Sequence, residues 1–327
     1  MPSIYLHPDR PAATAGLEKA DQILERTEFT RLSKQKLRKL EAVECVRLKR
    51  ESARQNLGFA SRPFILCGLP VKKPAVGILL HERRNGQFLL QVTGHPNYGL
   101  PWGQDRLVPI FLATLAVRQQ KQTITFRSAA EMLDTFGMQQ GGSQYRRLLG
   151  AFQRVFGATI FFGTDTQRNK AAVVHQVRFS FMAEARIWYS RDPAQQSLPG
   201  DYQNMIVLSD EFFREIHSHP IPADLEAAKA LSSSPAALDL FMWLGYRCFT
   251  AKGPERVPLF GNFGLVNQLG SSDYVRPRKF RERLDRWLDL VRTMWPECPA
   301  QISADGQAIL INRAQAIRTQ DVMHVCA

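Results

Sequence analysis

Apolar positions recur at two periods along the chain, and the changes of period mark the elements. Over residues 16–57, Leu17, Ile23, Leu24, Leu32, Leu37, Leu40 and Val43 return at roughly helical spacing with no proline among them. A basic helix or helix pair is predicted there. Pro63, Pro70 and Pro74 then interrupt helix. The run AVGILLHERRNGQFLLQV reads as a hairpin, with strands near 75–82 and 87–92 and Asn85-Gly86 supplying the positive-φ turn. Residues 1–15 hold three prolines and no period, which predicts a mobile tail.

The central third changes period repeatedly. A helix is predicted over 104–119, with Asp105 in its first turn and an apolar face of Leu107, Ile110, Phe111, Thr114, Leu115 and Val117. Residues 123–126 are β-prone. Ser128 and Glu131 have capping-box spacing and open a short helix ending at Phe136-Gly137. Gly141-Gly142 makes a turn, and Ser143 can cap a helix running to about Phe156. Residues 158–162 and 173–183 are β-prone, and 189–203 read as a linker. Helix, short strand, helix, turn, helix and hairpin is the order of a winged helix.

That order returns. It runs through a helix at 235–250, a β-prone stretch at 256–260, a short helix at 263–270, a turn at 271–277, a helix at 278–295 and a hairpin at 300–314 turning at Asp305-Gly306. The repetition is one of pattern and not of letters. The predicted fold is α+β: two tandem winged-helix domains, each a helix-turn-helix plus β-hairpin, behind a basic helical N-terminal extension. The bounds are 1–60 for tail and extension, 61–203 for the first domain with its preceding hairpin, and 204–327 for the second.

A helix that enters a major groove needs an apolar face for its own domain and a face of cations and amides for DNA. At 100° per residue, helix 143–157 gathers Leu148, Leu149, Phe152, Val155 and Phe156 on one side. Ser143, Arg147, Gly150 and Arg154 lie opposite, with Arg146 and Gln153 beside them. Gly150 fits two readings, close approach to DNA or close packing on another element. Helix 278–295 buries Phe280, Leu284, Trp287, Leu288, Val291 and Trp295. It opposes them with Arg278, Lys279, Glu282, Arg286 and Asp289, and Arg276 precedes it. Arginine contacts guanine bidentately, and a carboxylate such as Glu282 accepts from cytosine N4. The alternative is a solvated face laced with i,i+4 pairs such as Glu282–Arg286. Arg168, Asn169 and Lys170 at the first hairpin tip, and the stretches 34–39 and 47–50, are phosphate candidates.

Composition sharpens this picture. The chain has 327 residues, enough for two domains, and a hydrophobic fraction of 44% supports ordinary cores. A net charge of +13 points to a polyanion, here double-stranded DNA. No apolar run approaches the roughly 20 residues that span a bilayer, and the N-terminus lacks the order of a signal peptide. Cys45, Cys67, Cys248, Cys298 and Cys326 form no C-x-x-C pair. Reduced thiols in a bacterial cytoplasm are expected, with no membrane contact, disulfide framework or zinc site.

Catalytic motifs are missing. There is no G-x-x-x-x-G-K-[ST] phosphate loop. A nicking enzyme needs a metal-binding pair of histidines and a nucleophilic tyrosine, and His217-Ser218-His219 has a polar middle residue beside Pro220. Tyr189, Tyr202 and Tyr246 therefore lack support as nucleophiles. The chain reads as a non-enzyme without cofactor or metal.

Leu100-Pro101-Trp102-Gly103, followed by Asp105-Arg106 and an apolar helix, resembles the core of plasmid-encoded RepA replication initiators. So do Ile124-Thr125-Phe126, Ser128 to Leu133, Phe136-Gly137, Gly141-Gly142 and Arg146-Arg147. The match spans about 95–165 and fades through 165–260. The resemblance implies winged-helix domains that bind repeats at a plasmid origin, help melt adjacent A·T-rich DNA and recruit host replication proteins such as the helicase or initiator. It also admits a homodimer and repression of the protein's own gene. A winged-helix transcriptional repressor is the rival reading, and a rolling-circle nicking enzyme is a second.

Overall fold

The computed structural model describes residues 34–86, 88–128, 131–133, 142–168, 171–187, 204–270 and 276–318. The expected tail and the expected linker at 189–203 lie outside the described residues. The chain divides into two units, Met1–Glu44 and Cys45–Ala327. Helix α1 (Lys34–Glu51) begins in the first and ends in the second.

The second unit opens with β1 (Leu57–Ala60) and the short helix α2 (Arg62–Leu66). The predicted hairpin follows as β2 (Leu80–Asn85) and β3 (Phe88–Thr93), turning at Gly86 with φ 62°. Its first strand starts five residues later than the apolar run suggests. Pro74 and Gly77, at φ 86°, turn the chain and leave Val76 fully exposed.

A 3-10 turn (Gly103–Arg106) leads into α3 (Leu107–Gln119). The Trp102 N–H donates to Asp105 Oδ2 at 2.9 Å, satisfying a donor that the helix start leaves free. Helix α3 buries residues all round and not along one face, as a helix enclosed by its domain does. It stops at Gln120, in the left-handed region at φ 52°. Then come β4 (Thr123–Phe126) and the capping pair, with the Glu131 N–H donating to Ser128 Oγ at 3.3 Å and the Arg127 N–H to Glu131 Oε2 at 2.9 Å. Helix α4 (Gly142–Phe156) and the hairpin β5 (Thr159–Arg168) and β6 (Ala171–Ser180) complete the module.

Two features of this module go beyond the expected pattern. The leading hairpin is built into the wing: the sheet order is β2-β3-β5-β6, with Leu90 opposite Phe162. The strand after β6 also continues past Phe181 as β7 (Met182–Arg186) and joins a second sheet, β4-β8-β7. Its middle strand β8 (Asn204–Leu208) pairs with β4 and β7. Strand pairing therefore crosses the expected 203/204 boundary. Helix α5 (Asp210–Ser218), capped by Ser209 Oγ on the Phe212 N–H, packs on α3 and β6.

Strand β9 (Ile221–Asp224) pairs antiparallel with β1. Helix α6 (Leu225–Leu231) follows, with Asp224 accepting from the N–H groups of Glu226 and Ala227. The second module matches its predicted order closely: α7 (Pro235–Thr250), β10 (Glu255–Pro258), α8 (Leu265–Leu269), α9 (Pro277–Met294), β11 (Gln301–Ile302) and β12 (Ala308–Ile311). Its sheet order, β10-β12-β11, places the first strand against the returning strand of the wing.

Candidate nucleic-acid interface

Helix α9 carries the expected two faces. Phe280, Leu284, Trp287, Leu288, Val291 and Met294 are buried, and α9 packs on α7. Trp295 is buried just beyond the helix end. Arg276, Arg278, Lys279, Glu282 and Arg286 are all exposed. The i,i+4 pair that forms is Arg278 with Glu282, at 3.0 Å, and not Glu282 with Arg286. Such exposed pairs are worth a few tenths of a kcal/mol, so Arg278 can be drawn off by a phosphate. Among the described residues Arg276, Lys279 and Arg286 have no ion-pair partner. Glu282 and Arg286 lie one turn apart on the outward face, with Lys279 a turn before them.

Helix α4 is rotated by roughly 50° from its expected setting at 100° per residue. Its buried residues are Leu148, Ala151, Phe152 and Val155, while Phe156 is 41% exposed. Small Ala151 packs inward where a larger face was expected. Arg146, Arg147 and Gln153 are exposed, and Arg146 Nε donates to the Gly142 carbonyl at 3.3 Å.

Arg154, expected on the basic face, is tied to an acidic partner of its own module. Its Nε and Nη2 donate to Asp105 Oδ2 and Oδ1 at 2.6 and 2.9 Å, and its guanidinium lies 5.8 Å from the Trp102 ring. A Cβ at Gly150 would stand 3.2 Å from Arg154 Nη1, one turn on in the same helix. The nearest atoms to that position all belong to Arg154 of the same helix, and not to another element.

The wings differ. Arg168 ends β5, opposite Ala171, and Lys170 lies outside the described residues. The second tip is folded onto its own module. Arg256 binds Asp305 at 2.5 Å, and Ser303 Oγ and the Gln307 N–H also donate to that carboxylate. These bonds hold Asp305 down at a pKa of about 2. In the 47–50 stretch two cations are already used. Lys49 binds Glu226 at 2.9 Å. Arg50 is 3% exposed and donates to Glu297 and to the carbonyls of Gln315 and Ala316. Arg47 remains exposed.

Sequence reasoning missed the residues that join the modules. Arg106 is 5% exposed and uses all five guanidinium donors. Nε meets Gly103 O at 2.6 Å, and Nη2 meets Leu69 O and Pro70 O, both at 3.0 Å. Nη1 meets Pro235 O at 3.1 Å and the Asp239 carboxylate of α7. Burial pushes the Asp239 carboxyl above the usual range, and Arg106 opposes that rise. Nearby, Arg83 donates to Gly270 O, and His81 Nε2 donates to Gly68 O at 3.0 Å. The available signal was two adjacent charges, Asp105-Arg106, opening a helix otherwise apolar.

His217 and His219 do not converge. His217 Nε2 lies 3.3 Å from Gln120 Oε1, while His219 pairs with Glu215. No group of three metal-ligating side chains occurs among the described residues. No described helix is long and apolar enough to cross a membrane.

These elements define an α+β protein with two winged-helix modules in tandem. Residues 124–256 match the family model described as plasmid-encoded RepA protein. The resemblance read from the sequence is thus borne out, although the match begins at β4, after the Leu100–Arg106 turn, and runs on into β10. It supports the expected class, a plasmid replication initiator of RepA type. No curated protein matches the chain. Among solved structures, SeMet derivatives of domain 2 and domain 3 of RctB align at a TM-score of 0.52 with 13% identity, over 78% of this chain and 99% of that one. Another crystal structure of RctB domains 2-3 aligns at 0.47 with 12% identity, over 76% and 94%. The former alignment shows a shared fold.

Proposed function

We propose that this protein is a non-enzymatic plasmid replication initiator that binds repeated duplex sequences at its origin through α4 and α9. Bound there, it helps open the duplex and recruits host replication proteins, a helicase or an initiator. The observation that carries the reading is the exposed face of α9, where Lys279, Glu282 and Arg286 follow each other at helical spacing on a well-buried helix. Arg146, Arg147 and Gln153 on α4 supply the corresponding surface in the first module. The family match over 124–256 supports the replication role.

The test is origin-dependent maintenance. A plasmid whose only replication functions are this gene and its flanking DNA should persist in a bacterial host, and the purified protein should bind that flanking DNA. Binding without maintenance would overturn the replication role in favour of a transcriptional regulator. A covalent tyrosine adduct on supercoiled origin DNA with divalent metal would overturn the non-enzymatic reading.

A further inference from the structure

The two reading helices are connected through buried side chains, and the path can be followed bond by bond. Helix α4 holds the 3-10 turn through Arg154 and both oxygens of Asp105. The next residue, Arg106, holds α7 through Asp239 and Pro235 O. Gln104 of the same turn donates to Ser232 O at 2.8 Å, just before α7. Helix α9 packs directly on α7. A parallel link runs through the leading hairpin, where Arg83 reaches Gly270 O at the end of α8 and the Gly68 N–H donates to Gln268 O at 2.9 Å. A guanidinium with all five donors spent has no spare geometry, and a buried pair that loses one partner leaves an uncompensated charge. The joint is therefore fixed and not sliding.

We propose that the Gln104–Arg106 turn is a spacing lock: Asp105, Arg106 and Asp239 are positioning residues that fix the separation of α4 and α9, and so fix the number of base pairs between the two motifs the protein reads. The inference rests on the DNA-binding reading above. The lock acts by preorganisation. Once one helix has docked, the other is already placed at its own motif, and no ordering cost remains. Inserting two base pairs turns the second motif by about 70° and moves it about 7 Å, since B-DNA has about 10.5 base pairs per turn and rises about 3.4 Å per step. A locked protein cannot follow that displacement.

The test selects random-sequence duplexes with the wild type, R106K and D239N. Lysine keeps the charge but offers three donors, and asparagine keeps an acceptor oxygen without the charge. Wild type should select two motifs at one spacing and lose at least about tenfold in affinity when two base pairs are inserted. R106K and D239N should select the same motifs at several spacings and lose less than about threefold on the same insertion. Variants that keep a single spacing and the full penalty overturn the lock. A second readout needs no DNA. Spin labels on unnatural side chains at Gln153 and Asp285, both exposed, should give one narrow distance in the wild type and a broadened one in D239N. An unchanged distribution in D239N overturns the lock. A wild type that selects no duplex overturns the DNA-binding reading instead, and the label distances still judge the joint.

Discussion

Arg154 of α4 grips both carboxylate oxygens of Asp105, 49 positions earlier, at 2.6 and 2.9 Å. A side chain expected to read bases is instead part of the framework. Asp105 is 6% exposed and Arg154 20%. Removing one partner of a fully buried pair costs about 3–5 kcal/mol. With Arg154 partly solvated, R154A should cost roughly 2–3 kcal/mol of stability, read as a lower denaturant midpoint. Base preference should not change. A relaxed preference at unchanged stability would return Arg154 to the reading face.

Arg286 should behave in the opposite way. It is exposed, unpaired among the described residues and on the outward face of α9. R286A should weaken binding by about 1–3 kcal/mol and relax preference at one position, with stability intact. K279A should weaken all sequences alike and lower the salt slope by about one if Lys279 meets phosphate. Competition binding at several salt concentrations separates the two behaviours.

Trp287 is 7% exposed and stands 6.1 Å from the Phe280 ring in an edge contact. W287A should destabilise the second module by roughly 3–5 kcal/mol, as removal of a buried aromatic does. Thermal unfolding would show the loss, and native stability in W287A would mean that α9 docks by another face.

His81 gives a pH dependence with a definite sign. Burial, aided by the positive charges of Arg83 and Arg106, pushes its pKa down to about 4, against about 6.5 in an unfolded chain. Between those values the unfolded state binds more protons, so stability falls as pH drops from about 6.5 towards 4. The loss should approach about 3 kcal/mol at its ceiling. Unfolding midpoints at pH 7.5 and 5 should differ more for the wild type than for H81Q. Equal differences would place His81 in water.

Much of the second module was legible because each element there obeys one local rule. Helix 277–294 keeps a strict apolar stripe, and Asp305-Gly306 dictates its turn, with Gly306 at φ 64°. The first module was legible in its order but not in its pairing. Strand β3 joins β5 across 65 intervening residues, between Thr93 and Thr159, and β8 joins β4 across a longer gap, between Phe126 and Asn204. Periodicity carries no information about such partners. The segment 204–231 was not resolved into elements, because β8, α5, β9 and α6 are short and take their burial from β1, β4, α3 and α7. In the candidate interface, the exposed face of α9 was visible from its stripe alone. The inward turn of Arg154 was not, since it depends on Ala151 packing and on an acceptor far back in the chain.

Strand β6 does not end where its sheet ends; it runs through Phe181 into β7 and a second sheet. Phe181 is fully buried, stacked on Phe64 at 5.1 Å and set edge-on to Phe179 and Phe212. Flexing this elbow means disturbing four packed rings, each a large share of local burial. Mechanically the wing is a beam set in a wall. The chain of the β5–β6 hairpin thus continues through the elbow into β7, which pairs with β8, and β8 pairs with β4 at the entry to the helix-turn-helix itself.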